Sequence, residues 1–261
     1  MASRMPAVAD LFYPGDPAEL AGLVRAYLDR ADNPPAGLRP KALIVPHAGY
    51  VYSGPVAATA YRTLAPLRDL VERVILMGPA HQVYLEGLAV PEADVFTVPT
   101  GEVPVDVEAV ARALRLPGVV ASDGAHAAEH SLEVHLPFLQ AVLDRFSIVP
   151  IVVGARASEL VAEVLDALWG GEETLIVVSS DLSHYHSYEE ARAIDVATSE
   201  EIVARASDLT GEQACGAIAI NGLMRAACGH ELQVRELDVR NSGDTAGGRD
   251  QVVGYGAFAL G

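Results

Sequence analysis

Cysteine is scarce: Cys215 and Cys228 are the two in 261 residues. That is too few for a disulfide framework, and a chain of this size does not need one, so a reduced, cytoplasmic setting is the expectation. Positive charge is short as well. Eighteen Lys and Arg stand against 35 Asp and Glu, a formal net charge of −17, which argues against a nucleic-acid or anionic-membrane partner. No apolar run reaches the roughly 18 residues that a membrane-spanning helix needs. The opening MASRMPAVADLFYPGD lacks the basic-then-apolar order of a signal peptide. There is no G-x-S-x-G elbow, P-loop or dinucleotide fingerprint, which disfavours serine-hydrolase and NTPase chemistry. The glycine-rich NSGDTAGGRD at 241–250 is not a phosphate cradle, because no helix follows it.

What is present is apolar: 51% hydrophobic against 20% charged residues, enough to bury a substantial core. Nothing marks a boundary, so residues 1–261 are read as one domain. Short β-branched runs at 42–45, 73–78, 148–153 and 175–179 lack polar alternation, as strands covered on both faces do. Residues 87–90 supply a further candidate strand. Helical periodicity lies between the runs. Asp16 and Pro17 open a helix whose Leu20, Leu23, Val24, Tyr27 and Leu28 face inward. Further helices are expected at 55–64, from Asp106, within 129–143 around Pro137, and at 158–168, 188–206 and 211–227. Such alternation predicts an α/β fold, a three-layer α/β/α sandwich around a mostly parallel mixed sheet, with 231–239 and 251–260 as antiparallel additions at one edge.

Three of the apolar runs release histidine at their carboxyl ends, where α/β sheets bind ligands. The first is ALIVPHAGY, with His47; the second RVILMGPAHQ, with His81; the third LIVVSSDLSHYH, with Asp181, His184 and His186. Any one of these histidines alone is more simply a turn residue; their recurrence is the signal. Two imidazoles can serve one metal, and a third ligand is then required. Cys215, expected in the first turns of the 211–227 helix, has the position that favours a thiolate, although one cysteine within ACGAIAI is more simply a small buried hydrophobe. Asp181 and His184 have the spacing of a proton-transfer residue and its orienting carboxylate; Asp181 equally suits a turn. Glu129, His130, Glu133 and His135 form the densest polar cluster. On a regular helix His130 and His135 diverge by roughly 140°, so one of them is expected to face the cleft as an outer partner, with Glu129 and Tyr50 as further outer or substrate-binding candidates. His126 and His186 are expected in solvent, and His230 at a helix end.

PHAGYVYSGPVAATAY (46–61), LMGPAHQ (76–82), EHSLEVHLPF (129–138), VPIVVG (149–154), VVSSDLSHY (177–185) and VVGYGAFAL (252–260), with PAVADLFYPGDPAEL (6–20), together resemble the Memo family, whose prokaryotic members are called AmmeMemoRadiSam system protein B. That family is similar in fold to the class III extradiol dioxygenases, which hold non-haem Fe(II) with two histidines and a carboxylate. The resemblance implies His47 and His81 as metal ligands, Cys215 in place of the carboxylate, and His184 with Asp181 as acid/base residues. It also implies Fe(II), with copper or zinc as alternatives favoured by a soft thiolate. An oxidoreductase acting on an unidentified small molecule is the leading expectation. A non-catalytic peptide- or protein-binding module, for which the animal member's phosphopeptide binding is the precedent, and a zinc hydrolase are the rivals.

Overall fold

A computed structural model describes residues 2–261. The strands are β1 Ser3–Arg4, β2 Ala42–Val45, β3 Arg73–Pro79, β4 Leu88–Val90, β5 Val95–Val98, β6 Gly101–Pro104, β7 Val119–Ala121, β8 Ser147–Val153, β9 Thr174–Ser179, β10 Asp181–His186, β11 Val234–Asn241 and β12 Val252–Leu260. The helices are α1 Pro17–Arg30, α2 Tyr50–Arg62, α3 Val107–Ala113, α4 Asp123–His126, α5 His130–Glu133, α6 Leu136–Val142, α7 Ser158–Leu168, α8 Tyr188–Val203 and α9 Ala217–Gly229.

Nine strands form the main sheet among the described residues, in the order β10-β12-β2-β9-β3-β8-β4-β7, with β11 paired to β12. Its centre, β2-β9-β3-β8, is parallel, and the flanking additions are largely antiparallel. Every residue of β2 and β9 is buried, which is why these strands read as unbroken apolar runs: each face meets a helical layer. One layer gathers α1, α2 and α6, the other α3, α7 and α9. The result is the mixed-sheet α/β sandwich that the alternation predicts, with β11 and β12 as the antiparallel addition.

Three features depart from the sequence reading. Helix α2 begins at Tyr50 rather than at residue 55, and Pro55 lies inside it; so early in the helix the proline forfeits one bond, to the carbonyl of Val51, whose side chain is exposed. Residues 181–186 are not a loop but β10, which pairs with β12 through two register shifts. Those bulges, with Tyr185 at φ 61, destroy the period-two pattern that would have identified it. Finally, β1, β5 and β6 make a separate small sheet. No helix among the described residues is long and apolar enough to cross a membrane.

Candidate metal centre

Strands β2, β9 and β3 lie side by side and parallel, with Val45 opposite Ser179 and Met77 opposite Val178, so their carboxyl ends finish together. His47 follows β2 by two residues, His81 follows β3 by two, and Asp181 follows β9 by two. All three line one cleft of about 1000 Å³ with Phe12, His130, His184, Tyr185, His186 and Cys215. Among the described residues, no Lys or Arg lines it.

An imidazole nitrogen from each of His47, His81 and His130 lies within 4.8 Å of the other two. The rings of His81 and His130 stack at 4.7 Å, and His47 meets both edge-on at 5.2 and 5.4 Å. Cys215 Sγ sits 3.3 Å from His47 Nε2. It does not sit inside a helix: α9 starts at Ala217 with Gly216 as its N-cap, so the expected helical activation of the thiol is not its environment. Burial, and then the Asp181 carboxylate, push the thiol up to about 12. Gly216 is there because a Cβ would stand 2.6 Å from the Ser179 carbonyl oxygen, a close approach only glycine permits.

The dense Glu129–His135 cluster separates into four jobs. Glu129 turns to His81, its Oε2 accepting from the His81 backbone N–H at 2.6 Å and its Oε1 from Nδ1 at 2.9 Å. Burial raises the Glu129 carboxyl, but these bonds and one from Ser131 N–H outweigh it and hold it down at about 2. An ionised carboxylate only accepts, so His81 carries its proton on Nδ1 and leaves Nε2 free. His130 faces the cleft, its ring 4.8 Å from Phe12. Glu133 faces away and is fully buried against Arg4. His135 is buried and bonds Ser179 and Tyr61. The break between α5 and α6 replaces the regular helix assumed from sequence, and of the two histidines His130 alone lines the cleft.

Asp181 and His184 both line the cleft but are not each other's partners. Asp181 Oδ1 accepts from the backbone N–H of His47 at 2.8 Å, and burial raises its carboxyl to about 7. His184 is oriented instead by the Leu182 carbonyl, to which its Nδ1 donates at 2.8 Å; burial lowers its pKa. Tyr50 is buried and donates to the Val134 carbonyl at 2.6 Å, so it is a packing residue outside the cleft lining rather than a substrate contact. His126, expected in solvent, is buried, and His186 lines the cleft. His230 does end α9, its ring stacked on Trp169 at 3.6 Å. Ser179 was not singled out from sequence. A serine closing an apolar strand carries no signal until its neighbours are known.

A family model described as "Memo-like protein" matches residues 4–259. The chain belongs to the Memo family. It is 37% identical over 268 residues to a "MEMO1 family protein" of Aquifex aeolicus, spanning 98% of each chain, and 36% identical over 281 residues to one of Ignicoccus hospitalis, again spanning 98% of each. Among solved structures it is similar to the uncharacterized protein JW3007 of Escherichia coli K12, at a TM-score of 0.50 and 14% identity over 84% of this chain and 99% of that one, a likeness of fold alone. The Memo assignment thus covers the segments that build the cleft, from Phe12 to Val253, as well as the sheet beneath them.

Proposed function

We propose that this Memo-family protein is a metal-dependent oxidoreductase whose ion, Fe(II) by preference with copper or zinc as alternatives, is held by His47, His81 and Cys215, with His130 beside them. The observation that carries the reading is the 3.3 Å separation of Cys215 Sγ and His47 Nε2. Two ligands at ordinary metal–sulfur and metal–nitrogen distances are ~3.1 Å apart at a right angle and ~3.6 Å apart at a tetrahedral one. The observed separation falls between these values, which supports reading the pair as one edge of a coordination shell. His81 supports it, since Glu129 orients the ring through Nδ1 and leaves Nε2 as the nitrogen available to an ion. When bound, any of these ions would polarise a chelating substrate, and iron or copper, unlike zinc, could also exchange electrons with it.

The chain's own residues supply the remainder. His184, held by Leu182 O with its Nε2 unengaged by that bond, is placed to move a proton on a substrate in the cleft. Phe12 and Tyr185 offer aromatic walls. The cleft lining has no fixed cation, which speaks for a neutral or metal-chelating small molecule, such as a catechol, over a phosphorylated peptide. The experiment is oxygen uptake by anaerobically iron-loaded protein with a panel of catechols, alongside metal analysis of wild type and Cys215→Ser. Uptake that disappears in His184→Gln supports the reading; none with any catechol removes ring-opening chemistry from it.

A zinc hydrolase is the second reading, and one feature favours it. The Asp181 carboxyl lines the cleft with Oδ2 4.0 Å from His47 Nε2, where it could take a proton from a water beside a bound zinc. Zinc as the sole metal after anaerobic purification, with ester or amide hydrolysis lost in Asp181→Asn, would place this reading first.

A further inference from the structure

Beneath the cleft, four elements converge on one hydroxyl. Ser179 ends β9, and its Oγ contacts three groups: the Ser131 carbonyl oxygen at 2.6 Å, His47 Nδ1 at 2.6 Å and His135 Nε2 at 2.8 Å. His135 in turn meets the Tyr61 hydroxyl through Nδ1 at 2.8 Å. Tyr61, His135, Ser179 and His47 are all buried.

We propose that Tyr61, His135 and Ser179 form a proton-ordered chain that locks His47 in its Nδ1–H tautomer and so presents the Nε2 lone pair to the cleft. The ordering follows from counting. A carbonyl oxygen only accepts, so the single Ser179 proton is committed to Ser131. The two remaining Ser179 acceptor positions then require N–H donors from both His47 Nδ1 and His135 Nε2. No carboxylate pairs with His135 among the described residues, so it is neutral, and its Nδ1 accepts the Tyr61 proton. Asp181 Oδ2 stands 4.0 Å from His47 Nε2, too far to hold a proton there. Every donor in the chain thus has one acceptor, and the His47 Nε2 lone pair is turned to Cys215 Sγ at 3.3 Å, where in metal-free protein only the weakly donating thiol meets it. These are positioning residues: none touches the ligand space. They do for His47 what Glu129 does for His81, with a neutral serine in place of a carboxylate.

The inference rests on His47 being a metal ligand for its use, but not for its test. Long-range ¹⁵N–¹H correlation spectra of metal-free protein read the tautomers directly: His47 is expected as Nδ1–H and His135 as Nε2–H. The reverse tautomer at His47 overturns the proposal. Co(II) is the binding probe. Ser179→Ala is expected to weaken Co(II) binding about 10- to 100-fold, the usual cost of losing an outer partner, and to mix the His47 tautomers. Ser179→Thr, which keeps the hydroxyl, should recover both. Tyr61→Phe, which removes only the far end, should leave His47 unchanged. Unaltered Co(II) affinity and tautomer in Ser179→Ala also overturn it. If His47→Ala binds Co(II) as wild type does while the wild-type tautomers are as expected, the metal-site reading fails and the proton-ordered chain stands.

Discussion

At the scale of single residues, the two cysteines are a natural internal comparison. Cys228 is exposed on α9, whereas Cys215 is half-buried between Asp181 and His47. With its thiol pushed up to about 12, Cys215 is ~10⁻⁴ thiolate at pH 8, and thiolate is the reactive form. In metal-free protein at that pH, iodoacetamide is expected to label Cys228 rapidly and Cys215 only after denaturation, as peptide mapping by mass spectrometry would read. Equal labelling rates in the native protein would mean that the thiol is not held as described. This reverses the expectation from sequence, which placed the thiol in a helix's first turn. The helix starts at Ala217, six residues later than expected and two beyond Cys215, and helix ends are the least legible part of a sequence. His126 is a similar case: a histidine in ASDGAHAAEH looks solvated, but the Phe96 ring, 5.8 Å away, and the Ala89 carbonyl that cover it come from β5 and β4, more than 25 residues earlier.

At the scale of elements, the N-terminal segment is held by a single carboxylate. Buried Glu133 accepts from the Arg4 guanidinium, from the backbone N–H of Ala7 at 2.7 Å and of Val8 at 3.1 Å, and from the Tyr13 hydroxyl. The same Arg4 donates to the carbonyls of His126 at 3.0 Å and Glu129 at 2.6 Å. Residues 4–13 are thereby strapped against the segment carrying Glu129 and His130, and Phe12 reaches the cleft from that strap. Glu133→Ala leaves a buried guanidinium without its counter-ion, and two backbone donors and the Tyr13 hydroxyl without their acceptor, a loss of about 3–5 kcal/mol. The expected outcome is a lower urea midpoint together with fast hydrogen exchange across residues 4–13. A lower midpoint with full protection of those residues would separate Glu133 from the strap. None of this was legible in sequence, because a lone arginine at position 4 and a glutamate at 133 share no local pattern. The central strands were, since burial on both faces leaves an unmistakable apolar run, and so were the histidines that end them. β10 and the small β1-β5-β6 sheet were not: bulges mask the first, and the strands of the second are only two to four residues long.

At the scale of the whole molecule, the buried imidazoles make stability depend on pH. Burial lowers the pKa of His47, His126, His130, His135 and His184, with His126 at about 4 and His135 at about 3. For each, the unfolded chain binds the proton first. The stability they contribute is therefore fully present above the unfolded value of about 6.5 and is lost as pH falls towards the folded one. His126 alone amounts to about 3 kcal/mol across that window, against a total of about 5–15 kcal/mol for a typical domain. Asp181 works oppositely: its folded pKa of about 7 lies above the unfolded value, so its contribution grows as pH falls through 7 and offsets part of the loss. Burial raises the Asp195 carboxyl as well, so between pH 6.5 and 5 the imbalance of five imidazoles against these two carboxyls sets the slope. Metal-free protein is thus expected to lose urea resistance steadily from pH 7 to pH 5, even as the net charge of −17 begins to be relieved. His126→Gln separates the cause. The His126 Nε2–H donates to Ala89 O at 3.1 Å while its Nδ1 has no partner, and glutamine keeps a donor but cannot take up the proton. The variant should show a shallower decline in urea midpoint over the same range, and an unchanged slope would assign the acid lability to other groups.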